Sequence, residues 1–489
     1  MPLRLSNSAL SSLPANVAGP GYDRARLTPG ILHFGLGNFH RAHQAEYLDR
    51  LFAMGEGMDW ALVGAGVFEG EKRGRDILAA QDWMTTLVEQ EAESSRAKII
   101  GSMVNYVEPA NADAIIERMS RPDIRIVSLT ITEGGYFLDS EGRFDPAHPA
   151  MAADAATPEA PKTVFGMILA ALELRHDHGL PPFTVMCCDN IPHNGVVTRN
   201  TLTGLARLSD PALADWIEAN VAFPNSMVDR ITPATTERER GILRDEFGLE
   251  DGWPVFCEGF TQWVMEDNFP LGRPPLEKAG VQFVPDVAPY ELMKLRILNG
   301  GHAVIAYPAG LMDIHFVHEA MEHPLIRGFL RKLEETEIIP NVPPVPDTSL
   351  AGYFDLIETR FSNPKIGDTV RRLCLDGSNR QPKFILPTLR DALASGGPIE
   401  GLALECALWC RYCAGVTDSG AAIAPNDPNW DSLAAVAQEA QSRPQAWLGQ
   451  KAIYGDLAGN ARFAEAFARN LQALGKDGTA AVLSRYLEG

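Results

Sequence analysis

A lysine, an amide and an imidazole lie close together in the segment PYELMKLRILNGGHAVIAY, residues 289–307. The proline suits the first turn of a helix, and most of the other residues are apolar. On an α-helix with 100° per residue, Lys294, Asn299 and His302 fall within an arc of about 140°. Apolar residues occur on nearly every side, so the helix is expected to be buried, where polar groups are costly. Gly300-Gly301 weakens the helix and predicts a bend or a close approach at that point.

These residue types fit a site that oxidises or reduces a carbon–oxygen bond without a metal ion. A desolvated lysine loses part of its preference for its proton, so Lys294 can act as a general base near neutral pH. Asn299 can donate a hydrogen bond to a developing alkoxide. Asn190 supplies a second amide directly after the apolar run FTVMCCD, at the predicted carboxyl end of a strand. The interpretation is therefore a metal-free hydride-transfer site.

Other interpretations of these residues stay open. Lys294 could extend to the surface while Asn299 and His302 satisfy helix ends. Tyr290 and Lys294 have the Tyr-x-x-x-Lys spacing of short-chain dehydrogenases, but that pair belongs to the nucleotide domain of a much shorter chain, so we interpret it as coincidence. The histidines at 315, 318 and 323 lack a carboxylate set, so local helix-end packing is favoured over a metal site there.

A nucleotide signal lies near the start of the chain. In GILHFGLGNFHRAHQAEYLDRLF a strand is followed by Gly35-Leu36-Gly37 and then by a helix. Glycines at this spacing permit a tight turn and a close approach of the backbone to a pyrophosphate. His40 occupies the place of the third glycine of the usual dinucleotide fingerprint, and a plain turn is the alternative.

A second strand, WALVGAG, ends just before Phe68-Glu69-Gly70-Glu71. An acid at this place would hold a ribose diol and repel a 2′-phosphate. Two solvated glutamates in a loop are the alternative. Lys72, Arg73 and Arg75 follow closely, so the local charge leaves NADP open.

The elements that would position these groups change in type along the chain. From residue 31 to about 285, helical patterns alternate with five strand-like runs, ILHF, WALVGAG, IRIVSLTIT, FTVMCCD and WPVFCEGF. Buried strands that alternate with helices predict a parallel, doubly wound α/β sheet. After Pro289 the patterns are almost all helical. We therefore predict a nucleotide-binding domain over 1–285 and a helical substrate and catalytic domain over 286–489, with ligands in the cleft between them.

Composition limits the partners and the compartment. The 489 residues include 63 acidic and 43 basic side chains, a net charge of −20, which argues against nucleic acid or an anionic membrane as partner. The segment MPLRLSNSALSSLP lacks the apolar core of a signal peptide, and no later run is long enough to span a bilayer. Seven thinly spread cysteines predict reduced thiols in the cytoplasm. Cys406, Cys410 and Cys413 have helical spacing without a fourth metal ligand, which predicts core packing.

Six motifs in order along the chain resemble the polyol-specific long-chain dehydrogenases. They are GLGNFHRAHQAEYLD, SLTITEGGY, KTVFG, FTVMCCDNIPHNG, FPNSMVDRITP and MKLRILNGGH. The resemblance runs from about residue 30 to the C-terminus. It implies a Rossmann-type doubly wound N-terminal domain, a mainly α-helical C-terminal domain, NAD as cofactor and no metal. It also implies a small-molecule polyol or ketose as substrate, and the motifs are most similar to members that interconvert D-mannitol and D-fructose.

The resemblance also assigns roles to residues. It implies that Lys294 is the catalytic lysine, that Asn190 and Asn299 stabilise the oxyanion, and that His302 binds the substrate. It implies further substrate contacts at Asp229, Arg372 and Arg380. It implies nucleotide contacts at Gly35, Gly37, Asn38, Phe39 and Arg41.

Two departures from the family pattern leave alternatives. The mannitol-specific members carry a Glu-Asp pair where this chain has Gly70-Glu71, so the retained Glu71 favours NAD and leaves NADP open. DNIPHNG is similar to the mannitol subgroup, whereas fructuronate reductases tend to carry an arginine and a glutamate there. Fructuronate reductase and D-arabinitol or sorbitol dehydrogenase are the alternatives within the family. A redox-inactive NAD-binding sensor and a metal-dependent hydrolase are the alternatives from other classes. A monomer or small homo-oligomer is expected.

Overall fold

The computed structural model describes residues 2–139 and 141–489. The chain divides into two compact units, Met1–Ala288 and Pro289–Gly489. The roles predicted for the domains over 1–285 and 286–489 stay predictions. Each helix of the described chain is too short or too polar to cross a membrane. All seven cysteines are buried as free thiols.

A five-stranded sheet with only parallel pairings forms the centre of the first unit. In spatial order its strands are Met103–Tyr106, Ala61–Ala65, Pro29–Phe34, Ile126–Leu129 and Thr184–Cys187. The chain starts at the central strand, winds outward to one edge, returns past the centre and winds to the other edge. This strand order confirms the predicted Rossmann-type doubly wound sheet, whose ligand crevice is expected where the order reverses.

The sheet is buried on both faces because its strands are apolar at consecutive positions. Ile31 and Ile126 belong to one hydrophobic cluster, and the adjacent Leu32 and Val127 belong to another. Successive side chains of a strand point to opposite faces, so each cluster covers one face of the sheet. The α-helices of this unit are Asn38–Ala42, Gln44–Ala53, Lys72–Ala80, Ala112–Ser120, Pro149–Ala156, Val164–Asp177, Asn194–Ser209, Pro211–Asn220 and Glu237–Phe247.

The described part of the first unit also contains three smaller sheets. The predicted strand in WPVFCEGF forms as Val255–Glu258, but it pairs with Thr85–Gln90 in a separate four-stranded sheet, so its assignment to the doubly wound sheet was wrong. The other strands of that sheet are Ser95–Ile100 and Val17–Ala18. A three-stranded sheet contains Ser226–Asp229, Gln262–Glu266 and Gln282–Val284. A two-stranded sheet pairs Leu3–Arg4 with Leu249–Glu250.

The second unit is helical, as predicted. Residues 289–489, all of which the structure describes, contain helices and only isolated β-bridges. The α-helices are Ala288–Met293, Gly300–Leu311, Val317–Glu322, Pro324–Leu333, Leu350–Phe361, Val370–Leu373, Gly377–Phe384, Leu386–Ser395, Glu400–Cys413, Trp430–Ala440, Gln445–Leu448, Lys451–Tyr454, Ala461–Asp477 and Thr479–Glu488. The unit also contains two π-helical segments, Lys294–Asn299 and Glu334–Ile338, and three 3-10 helices, Ile339–Asn341, Pro364–Ile366 and Gly455–Gly459.

Candidate active site

The helix that carries Lys294 changes type twice. It is α-helical over Ala288–Met293, π-helical over Lys294–Asn299, and α-helical again over Gly300–Leu311. In a π-turn each backbone N–H bonds to the carbonyl five residues earlier, instead of four. Such wide turns occur frequently at functional sites.

The wide turn changes which side chains share a face. The arc of about 140° followed from α-helical spacing over the whole segment, and that spacing is wrong between Lys294 and Asn299. A residue five positions on lies nearly one full turn above the first when the turn closes at i+5. Asn299 therefore lies above Lys294, and His302 follows after three α-helical positions on the same side. The three side chains form a narrower row than the sequence predicted.

Gly301 marks the close approach that the paired glycines predicted. A Cβ added to Gly301 would lie 3.3 Å from Oε1 of Glu334 and 3.5 Å from the ring of Phe361. The Glu334 carboxyl group is fully buried, and neither of its oxygens has a hydrogen-bond partner in the described structure. Burial raises the pKa of Glu334 well above its usual value. A fully buried carboxyl group thus packs against Gly301, which no sequence pattern had indicated.

Lys294 is buried, and the His302 ring packs against an aromatic ring. The Lys294 side chain belongs to a residue that is only 7% exposed, next to the buried Met293 and Ile297. The His302 ring stacks on Phe361, with ring centroids 4.2 Å apart and an interplanar angle of 18°. Nε2 of His302 is buried without a hydrogen-bond partner in the described structure, so it can still bind a ligand.

The charge state of His302 follows from this environment. Burial lowers the pKa of His302 well below its usual value, and the positive charges of Arg372, Arg360 and Arg380 add to the shift. The ring is therefore neutral near pH 7, with one nitrogen as donor and the other as acceptor. Because the charges of Arg372 and Arg380 lower the pKa of His302, these two predicted substrate residues lie near His302.

Both arginines already have protein partners. Arg372 donates to both oxygens of Asp368, with Nε 2.5 Å from Oδ1. Arg380 donates from Nη1 to the carbonyl oxygens of Leu373, at 3.1 Å, and of Arg372, at 3.4 Å. The charge on Arg372 is thus balanced by Asp368 within the protein.

In the first unit, Gly35 and Gly37 follow the central strand and differ in their surroundings. Gly35 has a φ of +94°, and a Cβ there would lie 1.9 Å from the carbonyl oxygen of Thr130. Only glycine fits this turn, which the Thr130 hydroxyl also braces by donating to the Gly35 carbonyl at 2.6 Å. A Cβ on Gly37 would meet nothing within 4 Å. The backbone at Gly37 is therefore open to a ligand.

The residues after Gly37 point mainly into the protein. His40, at the position of the missing third glycine, is buried and stacks on His33, with ring centroids 3.5 Å apart. Its side chain therefore points into the protein. Arg41 is 1% exposed and donates to the Trp253 carbonyl and to Oδ1 of Asn38. Burial lowers the pKa of Arg41 to about 9. The direct nucleotide contacts implied for Asn38, Phe39 and Arg41 stay predictions.

Glu71, the predicted ribose ligand, closes its own loop. Its Oε2 accepts the backbone N–H of Phe68 at 2.8 Å, and its carboxyl group lies against Gly66. Burial raises the pKa of Glu71 above its usual value. Glu69, two residues earlier, is more exposed and pairs with Lys72 at 2.7 Å. The carboxylate of Glu71 therefore stabilises the loop, and its contact with ribose stays a prediction.

Asn190 lies in a loop that a buried acid fixes, and this acid was missed by the sequence analysis. Asp189 accepts hydrogen bonds from the backbone of Ile131 and Thr132 and from the Tyr136 hydroxyl, at 2.8, 3.0 and 2.6 Å. It therefore ties the ends of strands Ile126–Leu129 and Thr184–Cys187 together. An acid directly after an apolar strand was the available signal. Asn190 itself is exposed at this edge.

Three other sequence candidates can be located. Asp229 ends strand Ser226–Asp229 and is 6% exposed. The Tyr290 hydroxyl donates to the Pro346 carbonyl at 3.2 Å, and the interpretation of the Tyr-x-x-x-Lys spacing as coincidence stays a prediction. In the described part of the chain no three His, Cys, Asp or Glu side chains are arranged to hold a metal ion, the 315–323 histidines included.

Two family models match almost the whole chain. One is described as the mannitol dehydrogenase Rossmann domain and matches residues 29–278. The other is described as the mannitol dehydrogenase C-terminal domain and matches residues 286–475. The mannitol 2-dehydrogenase of Cereibacter sphaeroides is 60% identical over 474 residues, which cover 96% of this chain and 99% of that protein. The mannitol 2-dehydrogenase of Phaeosphaeria nodorum is 42% identical, over 99% of this chain and 86% of that protein.

Two solved structures also match nearly the whole chain. Mannitol 2-dehydrogenase of Pseudomonas fluorescens, in a ternary complex with NAD and D-mannitol, matches with a TM-score of 0.89 and 43% identity over 99% of both chains. A D-sorbitol dehydrogenase in substrate-free form matches with a TM-score of 0.90 and 36% identity, over 98% of this chain and 100% of the other.

Proposed function

The chain belongs to the mannitol dehydrogenase family, and we propose that it is an NAD-dependent polyol dehydrogenase that interconverts D-mannitol and D-fructose without a metal ion. The observation that carries the proposal is the row of Lys294, Asn299 and His302 on one helix, aligned by the π-turn. These groups are a base, an amide donor and a neutral imidazole, which is the set that a carbinol oxygen and its neighbouring hydroxyls require.

Lys294 is the proposed general base. Burial disfavours the charged form of an amine, so the uncharged amine can take the proton of the reacting hydroxyl. Asn299 donates an N–H to the same oxygen as negative charge develops on it. In the reverse direction the lysine returns the proton to the alkoxide oxygen, because the same group must act in both directions.

His302 is proposed to orient the polyol chain. Its ring is neutral, its Nε2 is unpartnered, and Phe361 fixes its plane, so it can exchange hydrogen bonds with hydroxyl groups next to the reacting carbon. On the family resemblance, Asn190 is proposed as the second amide that stabilises the oxyanion, and Asp229 as a substrate contact.

The residues of the first unit fit a dinucleotide. The open space at Gly37 leaves room for a pyrophosphate against the backbone, and Gly35 permits the turn that presents it. When bound, NAD supplies the acceptor for the hydride from the carbinol carbon. The protein positions the two reactants and moves the proton.

The ion pair of Arg372 with Asp368 favours a polyol over a hexuronate. A fructuronate reductase needs a cation for the substrate carboxylate. Here Arg372 is paired with Asp368, and Arg380 donates to backbone carbonyls. We propose that they line the polyol-binding side of His302 with hydrogen-bond donors.

The test compares Lys294→Ala with Tyr290→Phe; Tyr290 lies four residues before the lysine, and its hydroxyl donates to the Pro346 carbonyl. Nicotinamide absorbance is followed with D-mannitol, sorbitol, D-arabinitol and fructuronate. We expect D-mannitol and D-fructose to give the highest kcat/KM. Lys294→Ala should lower kcat by about 10²- to 10⁴-fold, with partial recovery on addition of a small primary amine. Tyr290→Phe should keep wild-type turnover.

Three results would contradict the proposal. Activity that peaks on fructuronate would assign the chain to hexuronate reduction. Loss of activity with a chelator, restored by a metal ion, would exclude a metal-free lysine mechanism. Equal loss in Tyr290→Phe and Lys294→Ala would favour a Tyr–Lys pair.

A further inference from the structure

Two loops at the carboxyl edge of the central sheet line an open surface cavity. They follow the adjacent parallel strands Ala61–Ala65 and Met103–Tyr106, and they are joined by backbone hydrogen bonds from Val107 to Gly64 and from Ala110 to Gly66, both 2.9 Å long. The cavity has a volume of about 420 Å³, and its lining includes Glu69, Lys72, Glu108 and Asp113. This volume lies in the range of small-ligand sites.

Glu108 lies between the two cations of this edge. Its Oε1 is 3.8 Å from Nζ of Lys72, and its Oε2 is 3.3 Å from Nε of Arg75. Lys72 also pairs with Glu69 at 2.7 Å, and this hydrogen bond, with the charges of Glu69 and Glu108, raises the pKa of Lys72. Arg75 also pairs with Asp76 at 3.0 Å. Two cations therefore face three carboxylates, and Glu108 is the carboxylate that contacts both cations.

We infer that Glu108 selects NAD over NADP by occupying Lys72 and Arg75, which would otherwise bind a 2′-phosphate. The inference rests on the proposed use of a nicotinamide dinucleotide. The acid expected to exclude the phosphate, Glu71, has its carboxylate bound to the Phe68 backbone and turned toward Gly66. The discrimination therefore falls to a residue of the neighbouring strand's loop.

The charge balance explains the selectivity. A phosphate monoester carries close to two negative charges at neutral pH and is attracted by lysine and arginine side chains. With Glu108 present, the cluster has an excess of one negative charge, so the phosphate would have to displace a carboxylate from both cations. The uncharged 2′-hydroxyl of NAD can bind without displacing Glu108 from the two cations. Removal of the one carboxylate should leave Lys72 and Arg75 oriented toward the same edge.

The substitution that tests this is Glu108→Gln, which removes the charge and keeps the shape. Exposed ion pairs contribute little to stability, so the variant should fold as the wild type does. Glu117→Gln is the matched control. Glu117 is an exposed acid that lines a neighbouring cavity of about 310 Å³ together with Glu108 and Arg75, and in the described structure it pairs with neither Lys72 nor Arg75.

The readout is calorimetric binding of two adenosine probes to the full-length protein, with and without a 2′-phosphate. Glu108→Gln should bind 2′,5′-ADP about tenfold more tightly than wild type, a change of about 1.4 kcal/mol, with unchanged affinity for 5′-AMP. The gain should shrink as salt is added and disappear in the double variant with Lys72→Ala. The ratio of kcat/KM for NADP to that for NAD should rise in parallel. Glu117→Gln should resemble wild type.

Distinct results separate the possible failures. Unchanged affinity of Glu108→Gln for 2′,5′-ADP, with 5′-AMP still bound, would overturn the role of Glu108 and leave the dehydrogenase proposal intact. An equal gain in Glu117→Gln would reduce the effect to net charge and also overturn it. Wild-type protein that binds neither 5′-AMP nor NAD would overturn the proposed function and, with it, this inference.

Discussion

Gly35 and Gly37 should respond in opposite ways to the same substitution, although one residue separates them. Gly35→Ala adds a Cβ to a residue at φ +94°, 1.9 Å from a carbonyl oxygen. Gly37→Ala adds a Cβ to a residue at φ −71° and ψ −174°, where alanine is allowed and nothing lies within 4 Å. The first change should therefore damage the fold, and the second should damage only ligand binding.

The magnitudes follow from these surroundings. A strained backbone conformation costs on the order of 1–3 kcal/mol, and the contact with the Thr130 carbonyl in Gly35→Ala forces a further backbone shift. A loss of about 3 kcal/mol lowers the melting temperature by roughly 10 °C in a domain of this size. Gly37 precedes the helix, where alanine in place of glycine costs about 0.5 kcal/mol. A methyl group against a bound pyrophosphate should weaken NAD binding about tenfold or more.

Scanning calorimetry and isothermal titration with NAD measure the two effects separately. Gly459→Ala serves as control, because a Cβ there also meets nothing within 4 Å and the residue lies in the second unit. Gly37→Ala that binds NAD as tightly as wild type would refute the assignment of this turn to the cofactor. Gly37→Ala that melts as early as Gly35→Ala would refute the steric reasoning.

Two further outcomes are expected. Burial raises the pKa of Glu405 to about 8, so the folded state keeps a proton that the unfolded chain releases, and stability is lost as the pH rises from about 4.5 toward 8. Glu405→Gln keeps the hydrogen bond from Gln381 and should be more stable than wild type by about 3 kcal/mol at pH 7 but not near pH 4. An equal difference in unfolding free energy between the variant and wild type at the two pH values would contradict this. Phe361→Leu removes the stacking partner of His302 and should raise the KM for the polyol about three- to tenfold with little change in kcat. Phe354→Leu, on the same helix, is the control, and equal KM changes in both variants would argue against a specific role for the stack.

The sequence predicted the elements that have a strong local pattern. The apolar runs at Pro29–Phe34 and Ala61–Ala65 form strands because of their own residues. Strand Met103–Tyr106 was missed because its four residues include an exposed asparagine and gain their strand conformation by pairing with Ala61–Ala65. The hairpin of Thr85–Gln90 and Ser95–Ile100 was missed for a similar reason, since charged residues interrupt its apolar pattern.

For the site, residue types were more predictable than their partners. Gly35 was recognisable from the sequence because its turn depends on local backbone geometry. The structure shows a φ of +94° at this residue. The inward orientation of Arg41 depends on Trp253, more than two hundred residues later, so no local pattern could reveal it. The pairing of Glu108 with Lys72 and Arg75 likewise requires the neighbouring strand's loop.

The π-turn makes residue count part of the active-site signature. A wide turn takes in one more residue than an α-helical turn, and here that residue lies between Lys294 and Asn299. A chain with one residue fewer in this interval would carry the lysine, the asparagine and the histidine at i, i+4 and i+7, which share one face of a regular α-helix. The five-residue interval of this chain needs the wide turn, because a regular α-helix over the same residues would spread the three side chains over an arc of about 140°.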